Sequence, residues 1–240
     1  MPEPTYKIRR ILKKTATGVT KASYCTLDAI LKFDNPESPF CVYNEHVALR
    51  LAQTLHIPVA DGALAHAGNG LAYASLQIDS PGLPLPDLLK SQIEQVANGY
   101  ADHVGAMVAF DIFIGNWDRG RNLKASLVTP HVRVFRAFDH EHALLNIESI
   151  PANSVNRLRG GDLVVYHHPF YGYVSEHHLS KWVARIAALP DEYIRECCVY
   201  SSTFRNVDQG LQRDLAEALV NRKVLLGQVG SNNQLMIQAR

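Results

Sequence analysis

The sequence predicts an α+β fold of two lobes, a small strand-rich lobe followed by a larger, mainly helical one. Three observations support this. Residues 6–78 contain short apolar runs separated by turn residues, with a single segment of helical periodicity. A stretch with three prolines and a glycine, SPGLPLP at 80–86, then interrupts the chain, and most of the sequence after it has helical patterns. We therefore predict two lobes, 1–80 and 81–240.

The first lobe is predicted to begin with strands on either side of a turn. Apolar runs flank the small, hydroxylated stretch TATGVTKA at 15–22. The run SYCTLDAILKF at 23–33 predicts a strand that ends at Lys32. Apolar residues spaced four apart then indicate a helix from Val42 to Leu55. Residues 57–78 predict two further strands around a Gly-Asn-Gly turn.

The second lobe is predicted to begin with a long helix at 91–115. This segment is apolar almost all round, so we expect the helix to be buried. Two short strands are predicted at 123–128 and 131–138, and an irregular segment at 150–177. Three helices complete the lobe, at about 179–189, 190–200 and 207–226.

Composition and charge are those of an ordinary globular protein. The hydrophobic fraction of 47% and the charged fraction of 20% favour a packed core over disorder. Because the formal net charge is +1, we expect no nucleic-acid partner. There is no apolar leader and no run of about 18 apolar residues, so we expect neither a signal peptide nor a membrane segment. Without a CxxC pair among the four cysteines, we expect reduced thiols in a cytoplasmic protein.

One loop and the strand pair after it carry residue types that phosphoryl transfer requires. Such a reaction needs a carboxylate near the attacking hydroxyl and hard oxygen ligands for Mg²⁺. The sequence NWDRGRN supplies a carboxylate, Asp118, and an amide oxygen, Asn122, within a single turn. A strand pair would return the chain so that Asp139, in FDHEH, arrives beside them. We predict Asp139 as the principal metal ligand.

The first lobe offers a complementary set of groups. Lys32 ends an apolar strand and is placed to contact nucleotide phosphates. Glu45, on the helix that follows, is a candidate ion-pair partner for Lys32. The turn at 15–21 would lie over the phosphates, where Gly18 would let the backbone approach closely.

Several stretches carry a resemblance to a known family. They are AILKF (29–33), NEHVALRLAQTLHIPVADG (44–62), FDIFIGNWDRGRN (110–122), FRAFDHEHALL (135–145) and DLAEALVNRKVLL (214–226). With them the chain resembles the HipA-like kinases, especially the compact members that lack the separate N-terminal subdomain. The likeness extends from about residue 15 to 227. It implies a bilobal protein-kinase-like fold, related to the phosphatidylinositol-kinase-like group.

The resemblance also implies ATP and Mg²⁺ as cofactors and roles for particular residues. Asp118 would be the catalytic aspartate, with Asn122 and Asp139 as Mg²⁺ ligands and Lys32 as the nucleotide lysine. The segment at 73–78 would be the hinge that meets the adenine, and we assign Ser75 and Leu76 to it.

The implied function is that of a Ser/Thr protein kinase, with hydroxyls at Thr15, Thr17, Thr20 and Ser23 as candidates for self-phosphorylation. An antitoxin-like partner is a further implication of the resemblance. Two alternatives stay open: a small-molecule or lipid kinase of the same fold, and a catalytically weak kinase fold that acts as a binding module. The second is kept because the chain departs from the family twice. Its asparagine follows Asp118 by four residues instead of five, and Glu141 replaces a glycine.

The histidines suggest another class of site, a zinc or di-iron centre. His140 and His142 flank Glu141, and two further pairs of adjacent histidines occur at 167–168 and 177–178. Adjacent histidines on a strand point to opposite faces, and no HExxH framework is present. We therefore favour loop positions and packing roles for these histidines.

Overall fold

The protein has the predicted α+β organisation, with a small strand-rich N-terminal part and a helical C-terminal part. The structure is a computed structural model that describes residues 6, 8–14, 22–68, 70–77, 79–80, 83–85, 88–127, 134–163, 165–200, 204–231 and 237–238. Gly18 and the threonine-bearing turn at 15–21 lie outside the described residues.

The N-terminal part contains a hairpin and a three-stranded sheet. Strands β1 (Ile8–Lys14) and β2 (Ser23–Leu27) pair antiparallel, and β3 (Ala29–Lys32), β4 (Gly62–Ala67) and β5 (Gly70–Leu76) form an antiparallel sheet in the order β3-β5-β4. The predicted strand at 23–33 was wrong in one respect, because it divides at Asp28. The chain changes partner there: β2 pairs with β1, whereas β3 pairs with β5. The predicted end at Lys32 is confirmed.

Helix α1 (Cys41–Leu55) confirms the predicted helix and connects the two parts of the fold. The carboxylate of Asp34 accepts the Val42 N–H at 2.9 Å and so satisfies one of the unpaired donors in the first turn. At the other end, the chain leaves the helix through His56, which has a left-handed φ of 59°. Deep in the core, the buried Tyr43 hydroxyl donates to the Cys198 carbonyl at 2.8 Å.

The proline-rich stretch forms short extended segments, β6 (Asp79–Ser80) and β7 (Leu83–Pro84). The long helix predicted at 91–115 was wrong in its continuity, because it is two helices, α2 (Ile93–Gly99) and α3 (Ala101–Ile114). They meet at Tyr100, whose φ of −128° and ψ of 36° are not helical. The Tyr100 hydroxyl donates to the Ser126 carbonyl at 2.6 Å, which ties this break to the neighbouring hairpin.

The C-terminal part is built on α3, which is buried on all sides from Val104 to Ile114, as its composition predicted. Strands β8 (Leu123–Ala125) and β9 (Phe135–Ala137) form a short antiparallel hairpin. The segment predicted as irregular contains a helix, α4 (Pro151–Arg159), so that prediction was wrong. The remaining elements are β10 (Val165–Tyr166), α5 (Glu176–Ala187), α6 (Asp191–Cys198), α7 (Gln209–Ser231) and β11 (Ile237–Gln238), with β10 and β11 parallel.

A single large hydrophobic cluster joins α1 to the helices of the C-terminal part. The predicted boundary between the two lobes at residue 80 remains a prediction, and the hydrophobic core contains residues from both sides of it. All four cysteines are free thiols, three of them buried and Cys25 exposed. Within the described part of the chain, we find no helix whose length and apolar content would let it cross a membrane.

Candidate functional site

Three predicted site residues meet where the two parts of the fold touch. The Lys32 ammonium, at the end of β3, lies 2.6 Å from Glu45 Oε1 on α1 and 2.7 Å from Asp139 Oδ1 just after β9. The Glu45 side chain is only 3% exposed, whereas that of Asp139 is 26% exposed. The inner carboxylate therefore anchors the lysine, and the outer one is partly exposed to solvent.

Mutual pairing keeps Lys32 and Glu45 charged. Burial alone would lower the pKa of Lys32, but the carboxylates of Glu45 and Asp139 outweigh it and raise that pKa above its usual value. Burial alone would raise the pKa of Glu45, but hydrogen bonding and charge from His140 and Lys32 hold it below its usual value. A fixed cation is thus present at neutral pH beside an accessible carboxylate.

Helix α1 also forms hydrogen bonds with the segment that carries Asp139. Glu45 Oε1 accepts the His140 N–H at 3.1 Å, and the Asn44 amide donates to the carbonyls of Glu141 and Ala143 at 3.1 and 2.9 Å. Asp139 itself has a left-handed φ of 61°, a conformation that a non-glycine residue keeps only when its surroundings impose it. The sequence prediction gave Asn44 no role, although both residues of the Asn-Glu pair position this segment.

The loop after α3 is held by a fully buried ion pair. Arg119 donates through Nε and Nη2 to both oxygens of Asp111, each at 2.8 Å, and both side chains are completely inaccessible. Asn116 Nδ2 and His168 Nε2 lie 3.0 and 3.1 Å from the same carboxylate. Burial would raise the pKa of Asp111, but the Arg119 charge and hydrogen bonds outweigh it and lower that pKa. Asp111 and Arg119 thus brace the loop that exposes Asp118.

Arg119 also connects this loop to the segment before Asp139. Its Nη1 donates to the carbonyls of Asn122 at 3.2 Å and Phe138 at 2.6 Å. The Phe138 N–H donates to the Asn122 carbonyl at 3.1 Å. Asn122 is therefore fixed against the residue that precedes Asp139.

The donor groups of Asn122 and Asp139 are of the type that binds a magnesium ion. Asn122 Nδ2 donates to the Asp118 carbonyl at 2.8 Å, so the group that Asn122 could offer to a metal is its amide oxygen. Asp139 Oδ1 is bound by Lys32 and lies 3.4 Å from the Glu141 N–H. The other carboxylate oxygen, Oδ2, is therefore the one that could bind a metal ion. One carboxylate and one amide oxygen fit a metal that takes its other ligands from water and substrate phosphates. Among the described residues, no three His, Cys, Asp or Glu side chains cluster as a metal site of their own.

The residues assigned to the hinge lie inside the sheet. Ser75 pairs with Ile30 and Gly62, and β5 is the central strand. The Leu76 N–H donates to the Asp61 carbonyl at 2.8 Å, so it is already used within the protein. The hinge prediction for Leu76 is therefore limited to its carbonyl.

The residues around Glu141 add an aromatic surface that the sequence prediction missed. Glu141 contacts Cys41 Sγ at 3.5 Å and His142 Nε2 at 3.4 Å. The His142 ring lies 4.8 Å from that of Trp117, which is 48% exposed directly before Asp118. The position of Trp117 directly before Asp118, the predicted catalytic aspartate, was the available signal.

The comparisons with known proteins show the fold. No protein-family model and no curated protein sequence matches the chain. HipA of the Shewanella oneidensis MR-1 toxin–antitoxin system, solved with HipB and operator DNA, is 17% identical with a TM-score of 0.55 over 84% of this chain. The Helicobacter pylori proinflammatory kinase CtkA is 14% identical with a TM-score of 0.61. That match covers 93% of this chain and 95% of CtkA, whereas this chain covers only 59% of the HipA chain. The predicted bilobal, kinase-like fold is therefore confirmed.

Proposed function

We propose that the chain is an ATP- and Mg²⁺-dependent phosphotransferase, most directly a HipA-like Ser/Thr protein kinase. The observation that carries the proposal is the position of Lys32 between Glu45 and Asp139, at 2.6 and 2.7 Å. This arrangement joins a strand, a helix and a loop at one charged cluster, and phosphoryl transfer depends on positioned charge. The likeness in fold to a named kinase supports the same interpretation.

In this proposal each residue has a separate task. Lys32 would contact the nucleotide phosphates, and Asp139 with Asn122 would hold the metal ion. Mg²⁺ would neutralise charge on the transferred phosphoryl group. Asp118, exposed on a braced loop, would orient the acceptor hydroxyl and take its proton.

Nucleotide binding and phosphoryl transfer test these tasks separately. ATP with Mg²⁺ should raise the melting temperature more than ATP alone. Asp139→Asn should lose that Mg²⁺-dependent increase, whereas Asp118→Asn should keep it but transfer no phosphate. Asp214→Asn, exposed on α7, is the matched control and should keep both the increase and the transfer. If Asp139→Asn responds to Mg²⁺ and ATP like the unmodified chain, the proposed metal site is wrong.

Acceptor and partner are the finer parts of the proposal. Mass spectrometry after incubation with Mg-ATP should find phosphate on Ser23 or in the turn at 15–21, and its absence there would remove self-phosphorylation. We also propose an antitoxin-like protein partner, because the HipA neighbour was solved with HipB. Binding without any transfer would favour a binding module of the same fold.

A further inference from the structure

A pocket lies beside the loop that carries Asp118 and has no part in the proposed transfer step. Its enclosed part has a volume of about 20 Å³, and the rest of the depression is open to solvent. One wall is residues 115–117, and the others come from α4, α7 and the segment near Asp162. Its charged lining consists of Arg157, Arg222 and Asp162, two cations and one anion. The lining itself therefore has one more cation than anion, and the second anion nearby, Glu148, lies outside it against Arg157.

Arg222 is the unusual group in this lining. It is only 2% exposed, yet all its hydrogen-bond acceptors are neutral carbonyls. Nε donates to Ile112 at 2.9 Å, and Nη1 donates to Leu158 at 3.4 Å and Asp162 at 2.8 Å. In the described part of the chain, no carboxylate lies within ion-pair distance of its guanidinium, and Nη2 has no hydrogen bond. A buried cation without a paired anion is costly to a protein.

Arg157 differs from Arg222 because it already has partners. Its Nη1 lies 2.8 Å from Glu148 and its Nε 3.3 Å from Asp162. Burial lowers the pKa of Arg222 to about 10, and the Asp162 charge offsets this only in part. Arg222 is therefore the lining cation without a direct ion pair in the described part of the chain, and Arg157 lies at the more exposed end of the pocket.

We propose that this pocket binds an oxyanion, a phosphate or carboxylate group carried by the phosphoacceptor near its reactive hydroxyl. Trp117, in the wall at 115–117, directly precedes Asp118 in the chain, and this adjacency is the basis for assigning the group to the acceptor. Guanidinium groups match such anions in both charge and geometry. The assignment to an acceptor rests on the proposed function, whereas the anion site itself does not.

The two tryptophans of the chain provide a direct binding signal. Trp117 lines the pocket, and Trp182 lies on α5, with its Nε1 donating to Asp102 at 3.0 Å. In Trp182→Phe the fluorescence comes from Trp117 alone. We expect inorganic phosphate to change it saturably, and to do so equally with ADP and Mg²⁺ present. Acetate in a parallel titration separates a carboxylate site from a phosphate-selective one.

Two substitutions in that background should act in opposite directions. Arg157→Gln should weaken phosphate binding by about tenfold, because it removes a cation and releases Asp162. Asp162→Asn should tighten binding several-fold, because it removes the anion. Arg195→Gln, at an exposed ion pair on α6, is the control and should leave the dissociation constant unchanged.

The outcomes separate this site from the proposed function. No saturable change up to about 50 mM phosphate, or equal constants for Arg157→Gln and Asp162→Asn in folded proteins, would overturn the site. If the two substitutions change the phosphate dissociation constant in opposite directions, but the protein does not respond to Mg-ATP, the anion site is supported and the proposed kinase function is rejected. If the protein responds to Mg-ATP but the two substitutions leave the phosphate dissociation constant unchanged, the anion site is rejected and the proposed function is unaffected.

Discussion

The buried ion pair between Asp111 and Arg119 makes the sharpest stability prediction. Arg119→Met keeps a similar side-chain length, so that packing around the loop changes little. It removes both hydrogen bonds to Asp111, at 2.8 Å each, and those to the carbonyls of Asn122 and Phe138. Asp111 would then be a charge with no accessible surface and no cation from Arg119.

The expected loss follows from breaking one side of such a pair. Removing one partner of a buried salt bridge costs about 3–5 kcal/mol. Because Asn116 and His168 still contact Asp111, we expect a value of about 3 kcal/mol. The whole free energy of unfolding of a domain is about 5–15 kcal/mol, so this is a large share of it. For a chain of this size it lowers the melting temperature by about 6–12 °C.

Urea unfolding followed by circular dichroism measures this loss. The matched control is Arg195→Met, which breaks the exposed pair with Glu217 at 2.7 Å and should leave the midpoint nearly unchanged. The double variant Asp111→Asn with Arg119→Met should recover part of the loss, because the stranded charge is gone. If Arg119→Met unfolds at the same urea concentration as Arg195→Met, the loop is not held by this pair.

Two further predictions concern acid pH and the crossing of two helices. The folded-state pKa values of Glu45 and Asp111 are lowered, so their contribution is complete above the unfolded values of about 4 and is lost as pH falls below them. The urea concentration at the unfolding midpoint should therefore decrease once the pH is lowered below about 4. Asp111→Asn should make that decrease smaller, and an equal decrease in this variant would contradict the prediction. Gly105→Ala should destabilise by about 1–3 kcal/mol, because its Cβ would lie 2.7 Å from His178 Cβ and 2.8 Å from its backbone carbon. Gly99→Ala meets no atom within 4 Å and is the thermal-unfolding control; equal melting temperatures would refute the close crossing.

The charged cluster was predictable because its members stand at positions that local patterns mark. An apolar strand that ends in lysine places Lys32 at a sheet edge, and a helix with a four-residue period follows it with Glu45. The roles assigned to Asp118, Asn122 and Asp139 stay predictions. The structure adds that α1 and Arg119 position their segments.

The predictions that were wrong concern a helix break and a short helix. Both depend on tertiary contacts or on only one or two residues of local sequence. The break at Tyr100 comes after Asn98 and Gly99, a pair typical of helix ends, but the apolar pattern continues on both sides. Helix α4 has only a few buried residues and begins with Pro151, which favours the first turn. The pocket at Arg222 brings α4 and α7 to the loop after α3, and no local pattern encodes such a meeting.

The short spacing between Asp118 and Asn122 has a structural explanation. The hydrogen bond from Asn122 Nδ2 to the Asp118 carbonyl closes the loop on itself at 2.8 Å, and the Asn122 carbonyl is held from outside by Arg119 and the Phe138 N–H. The side chain and backbone of Asn122 are thus both fixed, next to the residue before Asp139. These hydrogen bonds therefore hold Asn122 beside the residue before Asp139 at the observed four-residue spacing. The predicted metal role of Asn122 would use its amide oxygen, because the amide nitrogen already donates to the Asp118 carbonyl.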